Sequence, residues 1–529
     1  MNNNDENPNP MPIFHGSSQR ASYAEQLVER YKGNPLIEAL PPIRSPQEAA
    51  QIMSYYPERQ PNSHRLPPEI RMHLIMDAVH FIQPFPVHID LEQRISRVIR
   101  DPYTGRNPMA RDHWQDLDQR VDTIIRAGGI PLRSSNVIGF SVIGLPGVGK
   151  TTGVERVLQT YPQVIHHQSY KGQPFCRTQL VWLKLTCPHD GSIKGLCLDF
   201  FKDVDSLLGT HHSRDYAYTG KRPRTVDELI PGMCRVGWIH CLGLLVVDEL
   251  QHLNQANSGG EKRMLNFFLQ LMNNLGVPVI LIGTNAAMEI LTRELRQIRR
   301  SCGQGDLVWD RMANDEVWRL FVESLWRYEF TKLQTPLSQD LSDVLFEESA
   351  GIVDFAVKLF LLAQVRAIST GIEKITTAII RSVAKDSLRL AQPALSAIRT
   401  GDMRAVAGMT DLHPIDFESA VQQIRKKALL QQLSPGSQVA SDINKGAVQP
   451  TTPLPDAVAP TVESMNSAHP ASERTNVKRQ RKKMAGQSKC LLSQVAAAGL
   501  SKGQSAHSAL SAAGLIKPLS EFNGSPSPA

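Results

Sequence analysis

Gly144-Leu-Pro-Gly-Val-Gly-Lys-Thr151 decides the reading of this chain, because it is a complete G-x-x-x-x-G-K-T phosphate loop. An apolar run, Val137-Ile-Gly-Phe-Ser-Val-Ile143, precedes it as a strand, and Thr152 to Leu158 follow as a helix start. The loop therefore falls at a strand-to-helix turn, the context its chemistry needs. Gly144, Gly147 and Gly149 let the backbone curl until successive N–H groups, with those of Val148 and Thr152, face phosphate oxygens, and the helix N-terminus adds partial positive charge. Lys150 can reach the β and γ phosphates, and the Thr151 hydroxyl can ligate Mg²⁺.

Two further runs extend this reading. Leu242-Gly-Leu-Leu-Val-Val-Asp-Glu-Leu250 is continuously apolar up to two acids, the pattern of a buried parallel strand with carboxylates at its C-terminal edge. Asp248 is placed to hold the metal and Glu249 to orient an attacking water. Val277-Pro-Val-Ile-Leu-Ile-Gly-Thr284 ends at the same edge in a hydroxyl that can sense the γ-phosphate. Together these runs imply a chain that hydrolyses, or at least binds, a nucleoside triphosphate such as ATP with Mg²⁺.

The remaining chain fits a parallel αβα sheet followed by helices. Gln179 to Leu185 is expected as the second strand, Ser192 to Leu208 as a helix, and Lys262 to Leu275 as another, with Met264, Leu265, Phe268 and Leu271 in the core. Amphipathic stretches at Val317–Phe330, Asp340–Glu348, Ile352–Ala367 and Thr376–Arg389 predict a small helical lid. Near the N-terminus, Tyr23 to Tyr31 is expected as a helix and Asn34 to Pro42 as an extended docking segment. Leu91 to Arg100 reads as a helix with Ile95, Val98 and Ile99 on one face, followed by a turn at Tyr103–Pro108. The expected divisions are a disordered 1–20, an N-terminal extension 21–134, a nucleotide domain 135–313, a lid with following helices 314–430, and a basic flexible tail 431–529.

Composition narrows the classes. With 529 residues and 41% hydrophobic content the chain can hold several domains. No run of eighteen apolar residues and no signal-peptide pattern occurs, so no membrane is expected. Seven cysteines are scattered without a C-x-x-C pair, and Cys187 and His189 with His166, His167 and Cys176 match no common zinc spacing. The formal charge is +7, yet the stretch from Lys445 to Ala529 alone holds ten Lys or Arg against four Asp or Glu, including Val477-Lys-Arg-Gln-Arg-Lys-Lys483. The rest is nearly neutral, so any DNA affinity of the globular body must come from a local patch.

The plan of phosphate loop, Asp-Glu strand, polar-tipped strand and helical lid resembles that of AAA+ P-loop NTPases. Longer strings narrow the resemblance. Asn34-Pro-Leu-Ile-Glu-Ala-Leu-Pro-Pro42, Arg94-Ile-Ser-Arg-Val-Ile-Arg100 with Gly105-Arg-Asn-Pro108, Thr160-Tyr-Pro-Gln-Val-Ile165, Leu244 to Leu253 and Met264-Leu-Asn-Phe-Phe268 look like TnsC. TnsC is the ATP-dependent regulator of Tn-seven-like bacterial transposons and a relative of TniB. The resemblance covers roughly residues 30–400 and implies a cytoplasmic bacterial ATPase that assembles on double-stranded DNA as a homo-oligomeric ring or filament. It implies a target-selection partner (TnsD-like or an RNA-guided complex) and transposase and endonuclease partners (TnsB-like and TnsA-like), the tail being the segment that engages the endonuclease.

Carried over residue by residue, the resemblance makes Gly144, Gly149, Lys150 and Thr151 phosphate and magnesium contacts, Asp248 the metal-side acid, Glu249 the catalytic carboxylate and Thr284 the sensor. Arg296, Arg299 and Arg300 fall where such ATPases place a finger for the neighbour's γ-phosphate. Lys194 and Lys202 are the candidates for DNA phosphate contact. Gly351-Ile-Val-Asp-Phe-Ala-Val-Lys358 lacks the lid Gly-x-x-Arg, with Lys358 as a substitute. A replication-type loader shares the fold, and a STAND-like switch would need no DNA.

Overall fold

The apolar runs flanking the phosphate loop assemble into one five-stranded parallel sheet. Its order is β10 (Leu307–Trp309), β2 (Phe140–Gly144), β9 (Val279–Gly283), β8 (Leu244–Asp248) and β5 (Trp182–Thr186). The structure is a computed structural model and describes residues 16–110, 139–219, 222–255, 267–268, 271–272, 275–287, 305–401 and 417–433. The finger candidates Arg296, Arg299 and Arg300, the basic run at 477–483 and the tail beyond 433 lie outside the described residues.

Every residue of β2, β8 and β9 is buried, which explains why these strands read as unbroken apolar runs. Strand alternation then divides them between two cores. Val142, Val246, Ile280 and Ile282 pack with α4 (Pro86–Thr104) and α5 (Lys150–Gln159). Ile143, Val247, Val279 and Leu281 pack instead with α6 (Ile193–Leu208) and α7 (Val226–Ile239). Ser192 caps α6 by accepting from the Gly195 N–H, and Thr225 and Glu228 close a capping box on α7. β10 spans only three residues, too few to show a pattern in the sequence.

A second sheet escapes the sequence reading. β1 (Ser18–Arg20) runs parallel to β3 (Val164–Tyr170), which pairs antiparallel with β4 (Gln173–Leu180) through Lys171 and Gly172, both at positive φ. Residues 18–20, expected without fixed structure, are thus held by strand pairing. The expected single strand at 179–185 is split, because the Val181 N–H turns to the Gln163 carbonyl (2.8 Å) as the chain passes from β4 to β5. A short hairpin, β6 (Tyr218–Thr219) and β7 (Arg222–Pro223), follows α6.

Two N-terminal expectations are corrected. The segment at 34–42 is not extended: Asn34 caps α1 (Pro35–Glu38), its side chain accepting from the Leu36 N–H and donating to the Tyr103 carbonyl at 2.6 Å. Proline at the first helical position favours this start and does not break it. The helix expected over 23–31 shrinks to a single turn at Glu29–Tyr31, because Tyr23 is drawn to β3, where it meets His167 at 2.8 Å and the Tyr170 ring edge-on. Tertiary contact overrides local propensity there.

Residues 46–85, including α2 (Pro46–Met53) and α3 (Pro68–Leu74), bind two bodies at once. Arg156 on α5 donates to the carbonyls of Met53 (2.8 Å), Ile52 and Ser54. Arg59 donates to the Glu329 carbonyl and Tyr328 to the Pro57 carbonyl, beside α8 (Glu316–Trp326). The C-terminal helices continue as α9 (Gln339–Ser349), α10 (Val353–Ser369), α11 (Thr377–Ser387), α12 (Gln392–Thr400) and α13 (Phe417–Leu433). Asp315, Ser338 and Thr376 cap α8, α9 and α11.

His88, near the start of α4, is 8% exposed and meets Trp309 of β10 edge-on, with ring centroids 5.0 Å apart. Burial lowers its pKa to about 4, and its Nδ1 accepts from the Phe85 N–H. The folded state therefore binds fewer protons than the unfolded one between pH 6.5 and 4, so this residue's contribution is full above 6.5 and is lost as the pH falls. Thermal midpoints are expected to drop across that window, and His88→Gln, which keeps an acceptor near Phe85, is expected to flatten the slope.

Candidate nucleotide site

The strand ends converge on one pocket of about 290 Å³, lined by Gly147, Gly149, Lys150, Thr151, Thr152, Asp248, Glu249 and Thr284 together with Pro146, Gln251, Ile282, Gly283 and Asp354. Gly147 and Gly149 sit at φ 77° and 101°, the left-handed region that glycine alone enters cheaply, and α5 starts immediately after them. Gly144 has a different reason. A Cβ there would lie 1.9 Å from the Trp309 carbonyl oxygen, so the residue lets β10 approach β2 and does not curl the loop. Neither Gly144 nor Val148 lines the pocket, and the Val148 side chain is 3% exposed within the core.

Lys150 Nζ donates to the carbonyls of Gly144 (3.0 Å) and Leu145 (2.7 Å), which holds the ammonium against the loop. The Thr151 hydroxyl donates to Asp248 Oδ1 at 3.3 Å, joining the two residues expected to share a metal. Thr284 Oγ1 is buried at the pocket wall with no hydrogen-bond partner among the described residues. A buried hydroxyl without a partner is costly, and a phosphate oxygen would relieve it. The pocket therefore fits a polyphosphate, and Thr151 with one carboxylate fits Mg²⁺, which keeps most of its water.

Of three residues that the sequence reading missed, Gln251 and Asp354 line the pocket and Lys184 stands behind Asp248. Gln251 Nε2 donates to the Glu249 carboxylate while its Oε1 accepts from the Thr284 N–H at 3.3 Å, tying the acid to the end of β9. Glu249 itself is at φ 59°, a left-handed conformation of the kind that accumulates at functional positions. Asp354, at the start of α10, donates its N–H to the Gly147 carbonyl (3.1 Å) and accepts from Lys358 at 2.8 Å. Lys358 is thus paired one turn from the pocket. Lys184 on β5 lies 3.1 Å from Asp248 Oδ2 and pairs with Glu155 of α5. Burial would lower its pKa, but these two carboxylates outweigh that and raise it. Only Gln251 carried a signal in sequence, by its place two residues after Glu249.

The other candidates lie apart from the pocket. Lys194 and Lys202 both project from α6, and Lys202 pairs with Asp199 at 2.8 Å, an exposed pair of little energetic weight. Cys187 is buried, and burial with the neighbouring charges of Asp190 and Glu249 pushes its thiol up to about 12. His189 meets His252 at 3.2 Å, and among the described residues no group of three or more His, Cys, Asp or Glu is arranged to hold a metal.

A family profile described as an AAA domain matches residues 139–291, the stretch that runs from β2 past β9. No curated protein matches. Among solved structures, the chain is similar to the Aeropyrum pernix ORC1 protein in complex with DNA at 14% identity over 66% of this chain and 85% of that one, with a TM-score of 0.34. It is similar to Cdc6p from Pyrobaculum aerophilum at 16% identity over 61% and 95%, with a TM-score of 0.25. At such scores the likeness adds nothing to what the sheet order and loop define. The fold is that of an AAA+ P-loop NTPase, with the phosphate loop, the Asp248-Glu249 pair and Thr284 at one edge of a parallel sheet.

Proposed function

We propose that the chain is an ATP-dependent regulator of transposition, active in the bacterial cytoplasm, that assembles on duplex DNA and couples a target-selection protein to the transposase. The observation that carries the ATPase part is the convergence of Lys150, Thr151, Asp248, Glu249 and Thr284 on one pocket. The regulatory part rests on the strings at 34–42, 94–108, 160–165, 244–253 and 264–268 that resemble TnsC.

In this reading the loop amides and Lys150 bind the β and γ phosphates, Thr151 and Asp248 hold Mg²⁺, and Thr284 contacts the γ-phosphate. Bound Mg²⁺ supplies positive charge against the phosphate oxygens. Glu249, once Gln251 releases it, accepts a proton from the attacking water and aligns it. An arginine from Arg296, Arg299 or Arg300 of a neighbouring subunit completes the site, which makes assembly depend on ATP. Lys194 and Lys202 serve as DNA phosphate contacts, and residues 445–529 act as a tether for a transposase component.

The test is duplex binding by fluorescence anisotropy with a non-hydrolysable ATP analogue and with ADP. Binding is expected with the analogue, to weaken steeply with salt and to show little sequence preference. Equal affinity with ADP would overturn it. Truncation after Ser441 is expected to spare ATP turnover and DNA binding but abolish stimulation of transposition, and retained transposition would remove the tether. ATP-dependent DNA binding by the full-length chain with no effect on any transposase would favour a replication-type loader.

A further inference from the structure

Lys184 places a cation where a phosphate loop and an Asp-Glu strand do not by themselves call for one. It stands on β5 in register with Val246 of β8, with its side chain 21% exposed. Its ammonium is shared between Glu155, one helical turn beyond Thr151 on α5, and Asp248 Oδ2 at 3.1 Å. The other oxygen, Asp248 Oδ1, accepts from the Thr151 hydroxyl at 3.3 Å and from the Glu249 N–H at 2.8 Å. The two sides of one carboxylate are thus divided: one faces the nucleotide pocket, the other a lysine behind it.

Charge explains why that division matters. A bare carboxylate beside a site for a polyphosphate repels it, and the repulsion is strongest where water is scarce. We propose that Lys184 is a positioning residue that stands in for the divalent cation at Asp248. Without metal it offsets part of the carboxylate's charge and orients it, so nucleotide can enter; when metal binds, Lys184 yields towards Glu155, which keeps its charge compensated. This rests on reading the pocket as a nucleotide site. A lysine that merely tied α5 to β5 and β8 would stabilise the fold without discriminating between metal-bound and metal-free nucleotide.

The test measures affinity of the full chain for a fluorescent, slowly hydrolysed ATP analogue, in EDTA and in Mg²⁺, with thermal midpoints as the check on folding. Lys184→Met is expected to weaken binding in EDTA and widen the ratio of the two affinities by about tenfold, the scale of one partly buried charge pair. Lys184→Arg, which keeps the charge, is expected to stay near the wild-type ratio. Glu155→Gln is expected to move the ratio the opposite way, because a lysine left to Asp248 alone competes harder with the metal. Should Lys184→Met fail to fold, the sign of the Glu155→Gln change decides. An unchanged ratio in the folded variants overturns the proposal, while a wild-type chain that binds the analogue in neither condition overturns the nucleotide reading and this inference with it.

Discussion

Glu249→Gln is expected to leave ATP binding close to wild type and to lower turnover at least about a hundredfold, the usual scale for a general base that aligns water. The amide keeps the side chain's shape and volume, so the pocket that Lys150, Thr151 and Thr284 define is undisturbed. What it loses is the negative oxygen. In the structure that carboxylate accepts from Gln251 Nε2, and Gln251 in turn accepts from the Thr284 N–H at 3.3 Å. One side chain therefore bridges Glu249 to the end of β9. Steady-state hydrolysis and equilibrium binding of the ATP analogue separate the two effects. Wild-type turnover in Glu249→Gln would remove Glu249 from the chemistry, whereas lost binding would mean the acid supports the pocket and not the reaction.

The parts of this site that were legible in sequence are those whose chemistry is local. The glycine loop announces itself because Gly147 and Gly149 need left-handed backbone within a few residues of one another. β8 and β9 are legible because both of their faces are buried, which leaves no polar alternation. Gly144 matched the motif for a reason that sequence does not contain, the approach of Trp309 from a strand 165 positions later. Lys184 was invisible as a partner of Asp248 because only the parallel pairing of β5 with β8 brings them together. α1 was hidden by Pro35, which reads as a breaker until Asn34 is seen to cap the helix. Adjacency in the chain carried what the sequence reading recovered; adjacency across the sheet carried the rest.

Arg71→Met is expected to cost about 3–5 kcal/mol of stability, the range for breaking a buried ion pair from one side. Arg71 is 2% exposed on α3, and its guanidinium clasps Glu373 through both terminal nitrogens, at 2.7 and 2.6 Å, while Nε donates to the Leu66 carbonyl (2.9 Å) and Nη1 also to that of Phe330 (3.0 Å). Burial alone would raise the Glu373 pKa, but Arg71 and the Lys332 N–H outweigh it and hold the carboxyl below its ordinary value. Methionine fills much of the volume yet leaves two carbonyls without their donor and strips that carboxylate of the Arg71 charge and two hydrogen bonds, keeping the Lys332 N–H. The double variant Arg71→Met with Glu373→Gln removes the stranded charge and is expected to recover part of the loss, a coupling that a denaturant-melt cycle reads directly. Lys202→Ala, which breaks only an exposed pair with Asp199, is expected to change stability by less than about 0.5 kcal/mol. The contrast matters because residues 46–85 are bonded to α5 through Arg156 and, through Arg71, to the connections between the C-terminal helices. If this segment straps the helix of the phosphate loop to those helices, Arg71→Met loosens both together and unfolding stays a single transition. Two separated transitions in the wild-type melt, or a loss below about 1 kcal/mol in the variant, would show that these bonds do not couple the two energetically.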